Sequence, residues 1–160
     1  LGTTKSKFNV IFRAADGSTS LFGSSSETLA GRKLAGKVDG ILLKVSKAGS
    51  ISSVVRSSAA GALRDWQSGT ASNFLTGVVK SGKKIETAIT KFNSTFTPTW
   101  MTRILSTGAS VAASGANGSV FAIFEPTTAL KGVTGWKQVK GQSVALQFDS
   151  KGLLIGALTN

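Results

Sequence analysis

The hydrophobic pattern changes its period along the chain, and that change most constrains the fold. Lys7-Phe8-Asn9-Val10-Ile11-Phe12-Arg13 alternates, with Phe8, Val10 and Phe12 on one face, and Asp16-Gly17 supplies a turn before Ser20-Leu21-Phe22. Alternation broken by a turn predicts a β-hairpin, because successive side chains of a strand point to opposite faces. From about residue 26 the apolar residues recur instead at three and four positions, the spacing that lines one face of an α-helix.

Four helices follow from that spacing. Ser24 to Glu27 has the form of a capping box ahead of Leu34, Val38, Ile41 and Val45, and predicts a helix over 26–47. Gly31, Gly36 and Gly40 oppose it, each at about 1 kcal/mol in a helix interior, so a strand over 41–45 stays open. After Gly49-Ser50, Ile51, Val55, Ala59, Ala62 and Trp66 predict a second helix, ended by Gln67-Ser68-Gly69. Phe74, Val78, Ile85, Ile89 and Phe92 predict a third over 72–92. Thr97-Pro98 opens a short fourth that carries Trp100, Met101, Ile104 and Leu105. The small-residue stretch 106–118 reads as a loop and the place for flexibility. Strands resume at 120–124, 136–140, 144–148 and 153–158, with a turn at 149–152.

Strands at both ends and helices between them predict one α+β domain over 1–160. Its mostly antiparallel sheet is built from the N- and C-terminal strands, with three to four central helices packed on one face. The alternative is a β-barrel-like domain with short helices. At 160 residues and 41% hydrophobic content the chain can bury a core without covalent staples.

The chain has no Cys, His or Tyr. Thiolate zinc sites and disulfides are thereby excluded, and the commonest general base is missing. The seven carboxylates are Asp16, Glu27, Asp39, Asp65, Glu86, Glu125 and Asp149, never closer than eleven positions. That spacing excludes a calcium-type loop. Asp16 and Asp149 read as turn residues, Glu27 as a helix cap, and Asp65 and Glu86 as answers to neighbouring positive charge. Two stretches, Gly31 to Val38 and Gly77 to Lys84, approach a phosphate-binding P-loop, but both lack the final Ser or Thr that holds Mg²⁺. Ser81 and Lys84 have a Ser-x-x-Lys spacing that a Ser- and Lys-rich chain produces by chance. Asn93-Ser94-Thr95 and Asn117-Gly118-Ser119 are glycosylation triplets that matter only in a secreted chain. No enzyme activity, cofactor, metal or small-molecule substrate is expected.

Charge points elsewhere. Nineteen Lys and Arg stand against seven Asp and Glu, a net +12, and the isoelectric point is near 10.5. Eleven of the basic residues fall in 31–92 against Asp39, Asp65 and Glu86. So positive a surface attracts polyanions. If the central segments are helices, Lys33, Lys37, Lys44 and Lys47 flank one apolar stripe, and Lys80, Lys83, Lys84 and Lys91 oppose another. Trp136, with Lys137 and Lys140 beside it, is the aromatic best placed to stack a nucleobase. These eleven residues are the candidate nucleic-acid contacts.

No stretch is long and apolar enough for a membrane span, and the start at Leu1 has no signal-peptide core. A Ser/Thr/Ala/Gly-rich, Cys-free composition and a mean hydropathy of +0.14, high for so charged a chain, lead to the expected function. The chain reads as a non-enzymatic, self-associating structural subunit of a large particle such as a virion, touching nucleic acid through a basic face and residing in the virion or a cytoplasmic assembly. A nucleic-acid-binding domain using lysine-rich helix faces is the alternative. A domain that binds anionic membranes is a third reading.

Overall fold

The computed structural model describes residues 5–130 and 141–159. Eleven strands form two antiparallel meanders: β1 (Ser6–Arg13), β2 (Thr19–Ser25), β3 (Asp39–Val45) and β4 (Ile51–Ser57) make one sheet. The second contains β5 (Leu63–Thr70), β6 (Phe74–Ser81), β7 (Lys84–Phe92), β8 (Pro98–Ser114), β9 (Val120–Pro126), β10 (Val144–Phe148) and β11 (Leu154–Thr159). Within each sheet every strand pairs with its neighbours in sequence, and the chain passes from one sheet to the other between β4 and β5. A single short 3₁₀ turn at Ala116–Gly118 is the one helical element among the described residues.

The expected α+β fold with three to four central helices is therefore wrong, and the alternative's short α-helices are absent from the described residues too. The 26–47 segment is an extended crossing followed by β3. The 51–66 segment is β4, a turn and the start of β5, and 72–92 is the β6–β7 hairpin. Thr97-Pro98 begins a strand, and the stretch 106–118 is in large part the second half of β8. Ser24 is buried within β2, and Glu27 accepts a hydrogen bond from Ser6 Oγ at 2.6 Å instead of capping a helix.

The physical reason is burial on both faces. Phe74 and Leu75 are adjacent and both fully buried, but they enter different clusters, and so do Ala88 and Ile89. A strand covered on both sides shows runs of apolar residues in place of alternation, and its periodicity does not separate it from a buried helix. On one side of β6 and β7, Leu75, Val79, Ala88 and Phe92 meet Phe22, Leu42, Val10 and Phe12 of the first sheet. On the other, Phe74 and Ile89, with Trp100 and Ile104 of β8, meet Val120, Ala122, Phe124, Val144, Leu146 and Phe148. Aromatic pairs knit both layers: Trp66 lies edge-on to Phe92 at 5.4 Å and Trp100 lies tilted against Phe148 at 5.5 Å, centroid to centroid. Burying each large apolar side chain contributes about 1.5–3 kcal/mol.

The 17-residue β8 makes this layering work. Its first half pairs with β7 and its second half with β9, and the register slips between Ser106 and Ser110. Gly108 sits there at φ +100°, a backbone conformation that a side chain disfavours. Ser106 Oγ accepts from Gly108 N–H at 3.0 Å and from Thr87 Oγ1 at 2.8 Å. Beyond the slip, Ser110 donates through N–H and hydroxyl to Gln67 Oε1, and Ala112 N–H donates to Ser68 Oγ. The strand is thus tied back to β5, and the β9–β11 half of the sheet folds over the β6–β8 half.

The first hairpin lies where alternation places it, with one change. Between Phe8 and Val10 the β1–β2 register shifts by one residue. Val10 opposes Phe22 and joins the central core. Phe8 opposes Gly23 and packs with Leu21, Ile41 and Leu43 on the outer side of the first sheet, under Leu29. The displaced Asn9 donates from Nδ2 to Asp65 Oδ1 and to the Trp66 carbonyl, locking β1 onto β5.

Candidate interaction surfaces

The expected lysine faces do not survive as faces. Lys80, Lys83 and Lys84 cluster at the tip of the β6–β7 hairpin, where Ser81 pairs with Lys84 around Gly82 at φ +58°. Lys80 and Lys83 are exposed, whereas Lys84 Nζ is engaged by Glu86 at 2.9 Å. Lys91 lies at the opposite end of β7, where Nζ donates to the Ser72 carbonyl and burial lowers its pKa. It lies seven residue steps along the strand from Lys84, about 23 Å at the usual rise. Lys33 and Lys37 are exposed on the crossing between β2 and β3. Lys44, next to last in β3, is half-buried and near Asp16. Lys47, in the following turn, lays its alkyl chain against Gly17. Trp136, Lys137 and Lys140, and the strand expected at 136–140, lie outside the described residues.

Sequence reasoning missed a pair of arginines. Arg64 on β5 and Arg103 on β8 are close enough for desolvation and mutual repulsion to lower the Arg64 pKa, while Asp39 partly offsets this. Arg64 Nη1 donates to Ser57 Oγ at 2.9 Å, but its Nε is buried with no partner. They flank a shallow groove floored by Trp66, Gly77, Val79 and Ala88. A larger cavity of about 590 Å³ lies against β7, β8 and β10, lined by both apolar and charged side chains.

Every carboxylate has structural work. Asp39, fully buried, accepts from Arg56 Nε at 2.8 Å and from the Ala35 and Gly36 N–H groups. Burial opposes its ionisation, but these donors outweigh burial and lower its pKa. Asp65 pairs with Lys7 at 2.6 Å and Glu86 with Lys84. Asp16 and Asp149 accept N–H groups within their turns, and Glu125 Oε1 accepts from Gly141 N–H. No group of three potential metal ligands occurs among the described residues. Neither P-loop-like stretch is followed by a helix: one lies in the β2–β3 crossing, the other in the β6–β7 hairpin. Among the described residues, no helix is long and apolar enough to cross a membrane.

The outer face of β8–β11 has a different character. Val111 opposes Ile123, Ile123 opposes Ala145, and Ala145 opposes Leu158, so four apolar residues form one row across four strands. Val111 is 54% exposed, Ile123 37% and Leu158 65%. The neighbouring row is Ala113, Phe121, Gln147 and Gly156. No Lys or Arg occurs in the second half of β8 or in β9, β10 and β11. A signal for this face was present in the sequence: 120–124 reads Val-Phe-Ala-Ile-Phe, apolar on both sides, the pattern of a strand covered twice. Among the described residues it is covered once.

In comparison with known proteins, the chain matches no family model and no curated protein.

Proposed function

We propose that this protein is a non-enzymatic structural subunit that associates through the C-terminal half of its long sheet, as a building block of a large self-assembling particle does. The observation that carries this reading is the Val111–Ile123–Ala145–Leu158 row, an apolar row in strands without Lys or Arg on a chain of net charge +12. Apolar residues that cross a sheet as a contiguous row are more informative than apolar residues scattered singly. The structural work done by all seven carboxylates and the absence of His, Cys and Tyr support the non-enzymatic part.

Light scattering over a range of concentration and salt tests the proposal. Association through an apolar face persists as salt rises, because screening acts on charge and not on apolar burial. A monomer at every concentration and at both high and low salt would sink it.

A second reading, nucleic-acid binding, draws on the exposed Lys80 and Lys83 at the hairpin tip. It predicts affinity for a generic oligonucleotide that falls steeply with salt.

A further inference from the structure

From the edges of the two sheets we infer that the partner of β11 is the β11 of a second copy, the two strands pairing antiparallel about a two-fold axis to continue the seven-stranded sheet across both molecules. The inference rests on the assembly reading above and gives it a geometry.

Four strands end the two sheets: β1, β4, β5 and β11. An end strand offers a row of unpaired backbone groups, and proteins blunt it with charge, bulges or cover. β1 carries Lys7 and Arg13 and a bulge at Asn9. β4 is bordered by the exposed Arg32, whose carbonyl accepts from the buried, Asp39-paired guanidinium of Arg56, so a copy placed there would meet Arg32. β5 is covered: Gln67 and Ser68 accept from β8, and Asn9 donates to the Trp66 carbonyl. β11 has neither charge nor cover among the described strands. From Gly152 to Asn160 no residue is charged, and Leu153, Ile155 and Leu158 are exposed.

Charge selects a second copy at this edge. A two-fold axis sets each residue near its own copy or a close neighbour, so any edge bearing Lys or Arg would oppose like charges in a molecule already at +12. β11 is the end strand where that repulsion is missing. Its bulge is at Ile155, between the pairs Gln147–Gly156 and Phe148–Leu154, which leaves 156–159 in regular register for pairing. Leu158 would then extend the Val111–Ile123–Ala145 row into the same row of the second copy.

The strand is short, so the contact area falls below the roughly 1,200–2,000 Å² of standard stable interfaces. A weak dimer is expected, with dissociation at micromolar concentrations or above. Sedimentation of the whole chain up to millimolar concentration should show a dimer, and Leu158→Lys should weaken it at least tenfold. Leu158 is a surface residue, and circular dichroism confirms that the variant remains folded. Because the chain has no Cys, single cysteines placed in turn at 155, 157, 158 and 159 give a second readout. Under oxidation a disulfide-linked dimer should form at one or two of them, and at none when cysteine replaces Ser52 on β4. If the wild type associates but Leu158→Lys associates equally and no β11 cysteine cross-links, the edge geometry is overturned while the assembly reading stands. A wild type that stays monomeric to millimolar concentration overturns both.

Discussion

A Cβ added to Gly40 would lie 2.9 Å from Trp66 Nε1 and 3.2 Å from Trp66 Cδ1. The indole of β5 therefore lies against bare β3 backbone, and the two sheets approach here because residue 40 has no side chain. Gly40→Ala should push the indole outward and destabilise the fold by about 1–3 kcal/mol, the usual cost of overpacking. Urea denaturation gives the magnitude, and an unchanged midpoint would mean that the sheets can separate locally at no cost.

Asp39 and Arg56 are a buried ion pair, and Asp39→Asn leaves the guanidinium without its counter-charge. The expected loss is about 3–5 kcal/mol. The folded-state pKa of Asp39 is lowered, so the unfolded chain holds this proton more tightly than the folded one. Its stabilising contribution is fully present above the unfolded value, about 3.9, and disappears as pH falls through the lower folded value. Thermal melts from pH 7 to pH 2 should show an acid limb that is shallower in Asp39→Asn. An identical limb would assign acid sensitivity to other carboxylates.

Gly108 allows β8 to change direction. A Cβ there would lie 3.0 Å from both Ile85 Cγ2 and Val78 Cγ2, at a φ that side chains disfavour. Gly108→Ala should cost about 1–3 kcal/mol, strain and crowding together. Hydrogen exchange should speed up in β9–β11 more than in β1–β4, since the bend holds the former over the core.

Under the nucleic-acid reading, Lys80 and Lys83 act as one exposed tip and Lys91 does not. Replacing the first two by Gln should lower the salt slope of oligonucleotide binding by about two if each neutralises one phosphate. Lys91→Gln should leave the slope unchanged and reduce stability slightly, through the lost bond to the Ser72 carbonyl. Equal slopes in all three proteins would remove the hairpin tip as a contact.

The sequence determined the elements whose signals are local. Alternation and Asp16-Gly17 specified the first hairpin, and Asp149 with Gly152 specified the last, because turn residues and period-two patterns depend on neighbours in the chain. Composition likewise settled that the protein is basic and has no thiol, imidazole or phenol. Gly31, Gly36 and Gly40 already argued against the 26–47 helix. The tertiary structure decided the rest. Phe74 and Leu75, or Ile41 and Leu42, look the same in a buried helix and in a strand packed on both faces, and what separates them is the presence of layers above and below. Which lysines stand together is also a tertiary matter. Lys80, Lys83, Lys84 and Lys91 share a face at 3.6 residues per turn, but at 3.3 Å per residue Lys91 is carried to the far end of the sheet. The apolar row Val111–Ile123–Ala145–Leu158 draws one residue from each of four strands, so it exists only through cross-strand register.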